Sequence, residues 1–154
     1  MSYGSGPASL TGGGNIYTLD FGTLALSALS LQVTLSLTND VPAPADTLAG
    51  SFTSAPGTFQ LTNFATFAGL LAGQSVNGLT VDFTPDTLGN YTGSITLAPR
   101  SQNTSGFDGA LGPVTVNLNA SVVPEPGSAV LLAIGSMLAG LRRRRPSRRT
   151  QNSV

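Results

Sequence analysis

Cysteine, histidine, lysine and tryptophan are all missing from this 154-residue chain, and Glu125 is its single glutamate. Without Cys and His there is no thiolate or imidazole metal ligand, no thiol nucleophile and no imidazole base, and without Lys there is no Schiff-base amine. Much of the usual apparatus of catalysis is thereby removed. The lack of Cys does not identify a compartment, because disulfides are favoured outside the reducing cytosol but are not required there. Charge is scarce as well, at 9% of residues, and it is unevenly placed. Residues 1–122 hold Asp20, Asp40, Asp46, Asp82, Asp86 and Asp108 against Arg100 alone, whereas Arg142, Arg143, Arg144, Arg145, Arg148 and Arg149 crowd together near the end. A mildly acidic body does not attract nucleic acid, so none is expected as a partner.

What is present is 40% hydrophobic residues, with 19 Gly and 10 Pro to punctuate them. That allows one modest core in one turn-rich domain. From about Asn15 onward the pattern is period-two alternation, clearest in "SLQVTLSLTND", where Leu31, Val33, Leu35 and Leu37 alternate with Gln32, Thr34, Ser36 and Thr38. Successive strand side chains point to opposite faces, so these four aliphatics share a buried face. The same alternation sets Leu79, Val81 and Phe83 in "GLTVDFTPD", Tyr91, Ile95 and Leu97 in "NYTGSITLAP", and Val114, Val116, Leu118 and Val122 in "GPVTVNLNASVV". With shorter runs such as "YTLDFG", "GSFTSAPG" and "TFQLTNF", these make about seven candidate strands by strand and turn signals. Two antiparallel sheets packed face to face are expected. "FATFAGLLAG" is the one helix-like run in the body and reads as a single turn between strands.

The stretches "LDFGTLALSALSLQVTLSLTND", "FAGLLAGQSVNGLTVDFTPDTLGNYTGSITL" and "GPVTVNLNASV" resemble the choice-of-anchor D and ASPM/SPD-2/Hydin-like group of immunoglobulin-type β-sandwiches, over roughly residues 17–122. The most specific piece is "VDFTPDTLGNYTGSITL", in which Pro85 presets the turn and Gly89 and Asn90 can accept positive φ. The sequence departs from that pattern at "NDVPAPADTLAG", a Pro-rich insert in place of a short turn. The resemblance implies a fold and a habit of extracellular display, and carries no catalytic residues.

The end of the chain, "VVPEPGSAVLLAIGSMLAGLRRRRPSRR", orders three different parts. Pro124, Glu125 and Pro126 form a stiff, donor-poor acidic element. Gly127 to Leu141 is apolar or small throughout, with Val130, Leu131, Leu132, Ile134, Met137, Leu138 and Leu141 as its larger members. As a helix it spans about 22 Å, short of a hydrocarbon core of about 30 Å. Val122 and Val123 at one interface and snorkelling arginine stems at the other would cover the deficit. Pro126 suits a first helical turn, and Arg142, Arg143, Arg144 and Arg145 are expected to stay cytoplasmic by the positive-inside rule. The alternative is a helix packed on the sandwich, but a packed surface helix is amphipathic, and Ser136 is the one clearly polar side chain from Ala129 to Ala139.

The ordered triplet resembles the PEP-CTERM sorting signal of Gram-negative bacteria. That resemblance implies recognition of Pro124, Glu125 and Pro126 by an exosortase, an integral-membrane cysteine protease, with residues 127–141 as membrane segment and Arg142 to Arg145 as retention charge. It implies passage through the inner membrane to the cell surface or exterior. The first fourteen residues have neither the basic n-region nor the apolar h-region of a secretory signal, so a surface-sorted protein implies a start further upstream or a lost signal, and otherwise the C-terminus is not a sorting address.

The expected organisation is thus an all-β chain: a flexible Gly/Ser-rich stretch at 1–14, an immunoglobulin-like antiparallel β-sandwich at 15–122, a sorting signal at 123–149 with one short C-terminal hydrophobic helix and an arginine cluster at 142–149, and a polar tail at 150–154. Calcium between Asp82 and Asp86, or Asp40 and Asp46, lacks the loop pattern such sites use. Asp20 and Asp82 fall at outward strand positions and not in a converging catalytic pair. Three sequons, at Asn90, Asn103 and Asn119, are the chance matches a Thr/Asn-rich strand protein produces. The long polar segment "APRSQNTSGFDGALG", with Phe107, is the best binding-loop candidate, although the plainer reading is a disordered hairpin loop. No cofactor and no metal are expected. Three functions stay open: an exported, non-enzymatic surface or matrix protein acting in adhesion or extracellular polysaccharide, a permanently tail-anchored envelope protein with an exposed binding module, and a small hydrolase.

Overall fold

The computed structural model describes residues 2–3, 8–26, 28–125, 127, 131 and 134. Its strands are β1 (Ser2–Tyr3), β2 (Ser9–Gly13), β3 (Ile16–Ala25), β4 (Leu31–Thr38), β5 (Thr47–Ala55), β6 (Gln60–Thr62), β7 (Phe67–Leu70), β8 (Ser75–Phe83), β9 (Gly89–Gln102), β10 (Asp108–Ala110) and β11 (Val114–Val123). They form two sheets, ordered β1-β4-β8-β6 and β2-β3-β11-β9-β5-β7, with β10 paired to the far end of β9.

The inward faces of both sheets supply one core. Val33, Leu35, Leu79, Val81 and Phe83 come from the first sheet, and Leu19, Phe21, Ile95, Leu97, Val116 and Leu118 from the second. Alternation explains most of this: in β4, Val33, Leu35 and Leu37 are buried while Gln32 and Thr34 are exposed. Phe59 closes the core from a turn. Its ring lies 5.4 Å from Phe21 and 5.0 Å from Phe83, centroid to centroid. The turn holding it crosses β9 so closely that a Cβ at Gly93 would lie 2.5 Å from the carbonyl oxygen of Pro56.

The topology is immunoglobulin-like. In that fold one sheet carries strands B, E and D side by side and the other carries G, F, C and C′. Here β4-β8-β6 takes the first order and β11-β9-β5-β7 the second, although the chain visits the D edge before the C′ edge. Tyr91, near the start of β9, donates its hydroxyl to the carbonyl oxygen of Thr87 at 2.7 Å. A tyrosine bonded back to the chain just upstream at this corner is a tyrosine corner, a hallmark of such sandwiches.

Several expectations need correction. The sandwich is not wholly antiparallel, because β3 and β11 run parallel from the Thr115–Ile16 pair to the Val123–Ala25 pair. Parallel neighbours need a long connection, and here almost the whole body supplies it; alternation in sequence carries no sign of strand direction. The Gly/Ser-rich beginning is not all flexible coil, since Ser9–Gly13 pairs with β3 and Ala8 is buried. Edge pairing uses backbone groups, which glycine and serine supply as well as any residue. The run "FATFAGLLAG" contains strand β7 where a helical turn was expected, paired to β5, with Phe67 packed on Phe52. Gly89 takes the positive φ expected of the 84–90 turn, and Asn90 does not. The helix expected over 127–141 lies outside the described residues, apart from Gly127, Leu131 and Ile134.

Candidate functional site

The sandwich has two ends of different composition. At one, β11 finishes and the chain continues into Pro124 and Glu125, both exposed. Pro126, the segment members Val130, Leu132, Met137, Leu138 and Leu141, and the charges Arg142, Arg143, Arg144 and Arg145 lie outside the described residues. Gly127, Leu131 and Ile134 are described and exposed. Among the described residues no helix is long and apolar enough to cross a membrane. Val122 is buried in the sandwich core at 3% exposure, whereas Val123 is exposed at 37%. The expectation that both valines lengthen the apolar segment is therefore corrected: Val122 belongs to the body.

At the other end, the β4–β5 connection (residues 39–46) and the β9–β10 connection (residues 103–107) meet. These stand where immunoglobulin variable domains carry their B–C and F–G binding loops. Asp46 joins them, one carboxylate oxygen accepting from Ser101 Oγ at 2.8 Å and the other from Asn103 Nδ2 at 3.2 Å. Asn103 also shapes its own turn, its Oδ1 accepting from the Ser105 and Phe107 amides and from Ser105 Oγ. The buried Asn39 fixes the other side, donating from Nδ2 to the Leu70 carbonyl at 2.9 Å, while its backbone pairs with Gly73 and Gln74. The Pro-rich insert, with a cis bond between Ala43 and Pro44, is thus tied down at both ends.

Across the β9–β10 pair, Arg100 Nε donates to Asp108 Oδ1 at 2.7 Å. The hydrogen bond from Arg100 holds the Asp108 carboxyl below the usual carboxylate range, and the same bond raises Arg100 further. Phe107 stands half out of the surface with its ring over Gly109, where a Cβ would come within 2.6 Å of the ring edge. An open groove of about 410 Å³ lies beside it, bordered by Thr47, Gln102, Asn103 and Asp108 among others. Exposed Val41, Leu71 and Leu111 belong to the connections at this end.

Chemically this end offers amides, the Asp46 and Asp108 carboxylates, the Arg100 guanidinium and an aromatic face. That set suits binding. Among the described residues no three of His, Cys, Asp and Glu come together as metal ligands. Asp46 is turned to Ser101 and Asn103, Asp82 accepts from Gln32 Nε2 at 2.8 Å, and Asp20 accepts from the Gly22 amide at 2.8 Å. The expected loop "APRSQNTSGFDGALG" is in large part strand, residues 98–102 belonging to β9 and Asp108–Ala110 forming β10, and its clasp left no sequence signal because Asp46 lies 55 residues from Ser101.

No family model matches the chain, and no curated protein matches it either. Solved structures with a similar outline include WR4, a C. elegans MSP family member, at 15% identity over 64% of this chain and 92% of that one, with a TM-score of 0.46. Another is the ASH/PapD-like domain 7 of human CEP192, at 11% identity over 67% of this chain and 82% of that one, with a TM-score of 0.45. The C. elegans MSP-domain-like protein SSP-19 is 13% identical over 64% and 92%, with a TM-score of 0.43. At these identities and TM-scores the likenesses assign no family, ligand or activity, and the fold rests on the strand order and the core described above.

Proposed function

We propose that the chain is a non-enzymatic, exported surface or matrix protein, sorted through its C-terminal segment by an exosortase-type membrane protease. The observation that carries this is the order of parts after β11: Pro124, Glu125 and Pro126, then an apolar run to Leu141, then Arg142 to Arg145. Each part has its task. The prolines keep the acidic element extended and poor in backbone donors, so that Glu125 can be presented to a protease at the membrane surface. The apolar run inserts, and the arginines resist translocation, since each charge at a helix centre costs about 2.5–3.5 kcal/mol to insert. The body is left on the far side of the inner membrane of a Gram-negative envelope, bound for the surface.

Transient use of the segment is favoured over permanent anchoring by its length. With Val122 committed to the core, only Val123 can lengthen the apolar run, and a helix of about 22 Å in a core of about 30 Å holds poorly. The permanent tail anchor is the second reading, supported by the apolar run and arginines alone, which need no protease. In either case the end bearing Asp46, Asn103 and Phe107 is presented outward as the binding surface, suited to adhesion or to polysaccharide through amide hydrogen bonds and one aromatic face.

The test uses a host carrying the sorting protease and the chain fused to a functional export signal. Glu125→Ala is expected to leave the segment inserted but to slow processing, so that full-length protein accumulates in the inner membrane. Replacing Arg142 to Arg145 by Ser is expected to loosen retention or invert the segment instead. Identical behaviour of the two variants would contradict the proposal.

A further inference from the structure

Four aliphatic side chains stand out around the end of the sandwich from which the chain continues: Leu26, Leu29, Leu88 and Val123, at 40, 89, 53 and 37% exposure. Strand pairing brings them together. Val123 pairs with Ala25, and the Leu26 amide donates to the Val123 carbonyl at 3.0 Å. Val122 pairs with Gly89, next to Leu88. Leu31 pairs with Phe83 at the β8 end, which places Leu29 in the approach to β4 beside the 84–88 turn. Tyr91 holds that turn through Thr87, so Leu88 is fixed outward and is not free to fold onto the core.

We infer that this rim seats the body on the bilayer, its leucines in the boundary between head groups and acyl chains. This rests on the proposed reading of residues 127–141 as a membrane segment. Reach supplies the reason: Gly127 follows Val123 by four residue steps, which extend to about 14 Å at most. The polar layer on each side of the hydrocarbon is about 5–7 Å deep. A segment entering the hydrocarbon at Gly127 therefore holds Val123 within about 14 Å of it, near enough for the rim to reach the head groups, and exposed leucines that settle there gain by leaving water.

Charge identifies the kind of contact. Asp82 precedes the 84–88 turn and Asp86 lies within it, Asp20 is on β3, and Glu125 follows the rim, while Arg100, the one arginine described, sits at the opposite end on β9 near its pairing with β10. Attraction to anionic lipid is thereby excluded as the driving force, and the contact is apolar. It is expected to be insensitive to salt and at least as strong on zwitterionic as on anionic membranes.

The absence of tryptophan makes a direct test simple, because one introduced Trp is the sole reporter. Full-length protein carrying Leu88→Trp, Leu111→Trp or Ile134→Trp is reconstituted in phosphatidylcholine vesicles with and without brominated phosphatidylcholine. Quencher in both leaflets makes the result independent of orientation. Leu88→Trp is expected to be blue-shifted and quenched at least twofold, equally at low and high salt, and Leu111→Trp to be unquenched. Leu29→Trp repeats the reading should Leu88→Trp fold poorly. An unquenched reporter in Leu88→Trp overturns the inference, including the case of a blue shift without quenching, which would mean that the chain's own tail or a second copy covers the rim. Quenching in both Leu88→Trp and Leu111→Trp overturns it too. Ile134→Trp reports on the membrane segment separately: quenching there without quenching in Leu88→Trp removes the rim alone, and the reverse leaves the rim and removes the segment.

Discussion

The Tyr91 hydroxyl donates to the Thr87 carbonyl oxygen at 2.7 Å, tying the start of β9 to the turn four residues before it. Because that turn joins the two sheets at the end where β11 finishes, the Tyr91 hydroxyl, which also bonds to the Thr87 side-chain hydroxyl, fixes a corner of the whole sandwich. Tyr91→Phe keeps the ring against Phe83, 5.1 Å away, and deletes both bonds to Thr87. A loss of about 1 kcal/mol in urea unfolding, with an unchanged m-value, is expected.

The core and its reverse face are separable by one residue. Val81 is fully buried, while Thr80 points away from the core and bonds to the Gly78 carbonyl. Val81→Asp places an unpartnered carboxylate among Val33, Phe83 and their neighbours and is expected to cost more than about 4 kcal/mol, enough to unfold the body. Thr80→Asp is expected to cost about 1 kcal/mol or less. Circular dichroism melts of the two variants distinguish them.

Gly93→Ala tests the crossing of the 56–59 turn over β9. The new Cβ meets the backbone of Pro56, which cannot swing aside as a long side chain would. A destabilisation of about 2–3 kcal/mol is expected from thermal unfolding, whereas Ala at the open Gly13 position is expected to change little.

The Arg100–Asp108 pair gives the β9–β10 loop a pH dependence. The Asp108 carboxyl is depressed in the folded state by the hydrogen bond from Arg100. Its contribution is therefore present above the unfolded carboxyl pKa of about 4 and is lost as pH falls through the lower folded value. Both groups are half exposed, so the effect is local and salt-sensitive. Amide exchange in residues 103–107, corrected for intrinsic rate, is expected to accelerate on acidification below about pH 4. Asp108→Asn should remove that dependence.

The long strands were legible because a buried face leaves a period of two, and Val33, Leu35, Val81, Ile95 and Leu118 all lie in the core as that period requires. Phe59 was not, since it is buried from a turn and its burial depends on two rings distant in sequence, Phe21 and Phe83. Edge strands such as Ser9–Gly13 leave no readable alternation, because only Leu10 packs against the core and the rest of the strand is used through its backbone. The Asp46 clasp joins two loops whose meeting is a property of strand order, and no local pattern encodes it. The proposed sorting element is the converse case. Its evidence is entirely local, three kinds of residue in one order, and no tertiary contact is needed to see it.

The central claim concerns the fate of that element. With a functional export signal fused to the N-terminus and a sorting protease in the host, intact masses of the chain are measured in the inner-membrane and external fractions. The account predicts a transient full-length form in the membrane and an external form that has lost Arg142 to Val154. Retention of Arg142 to Val154 in every fraction would contradict it and leave the permanent tail anchor in its place.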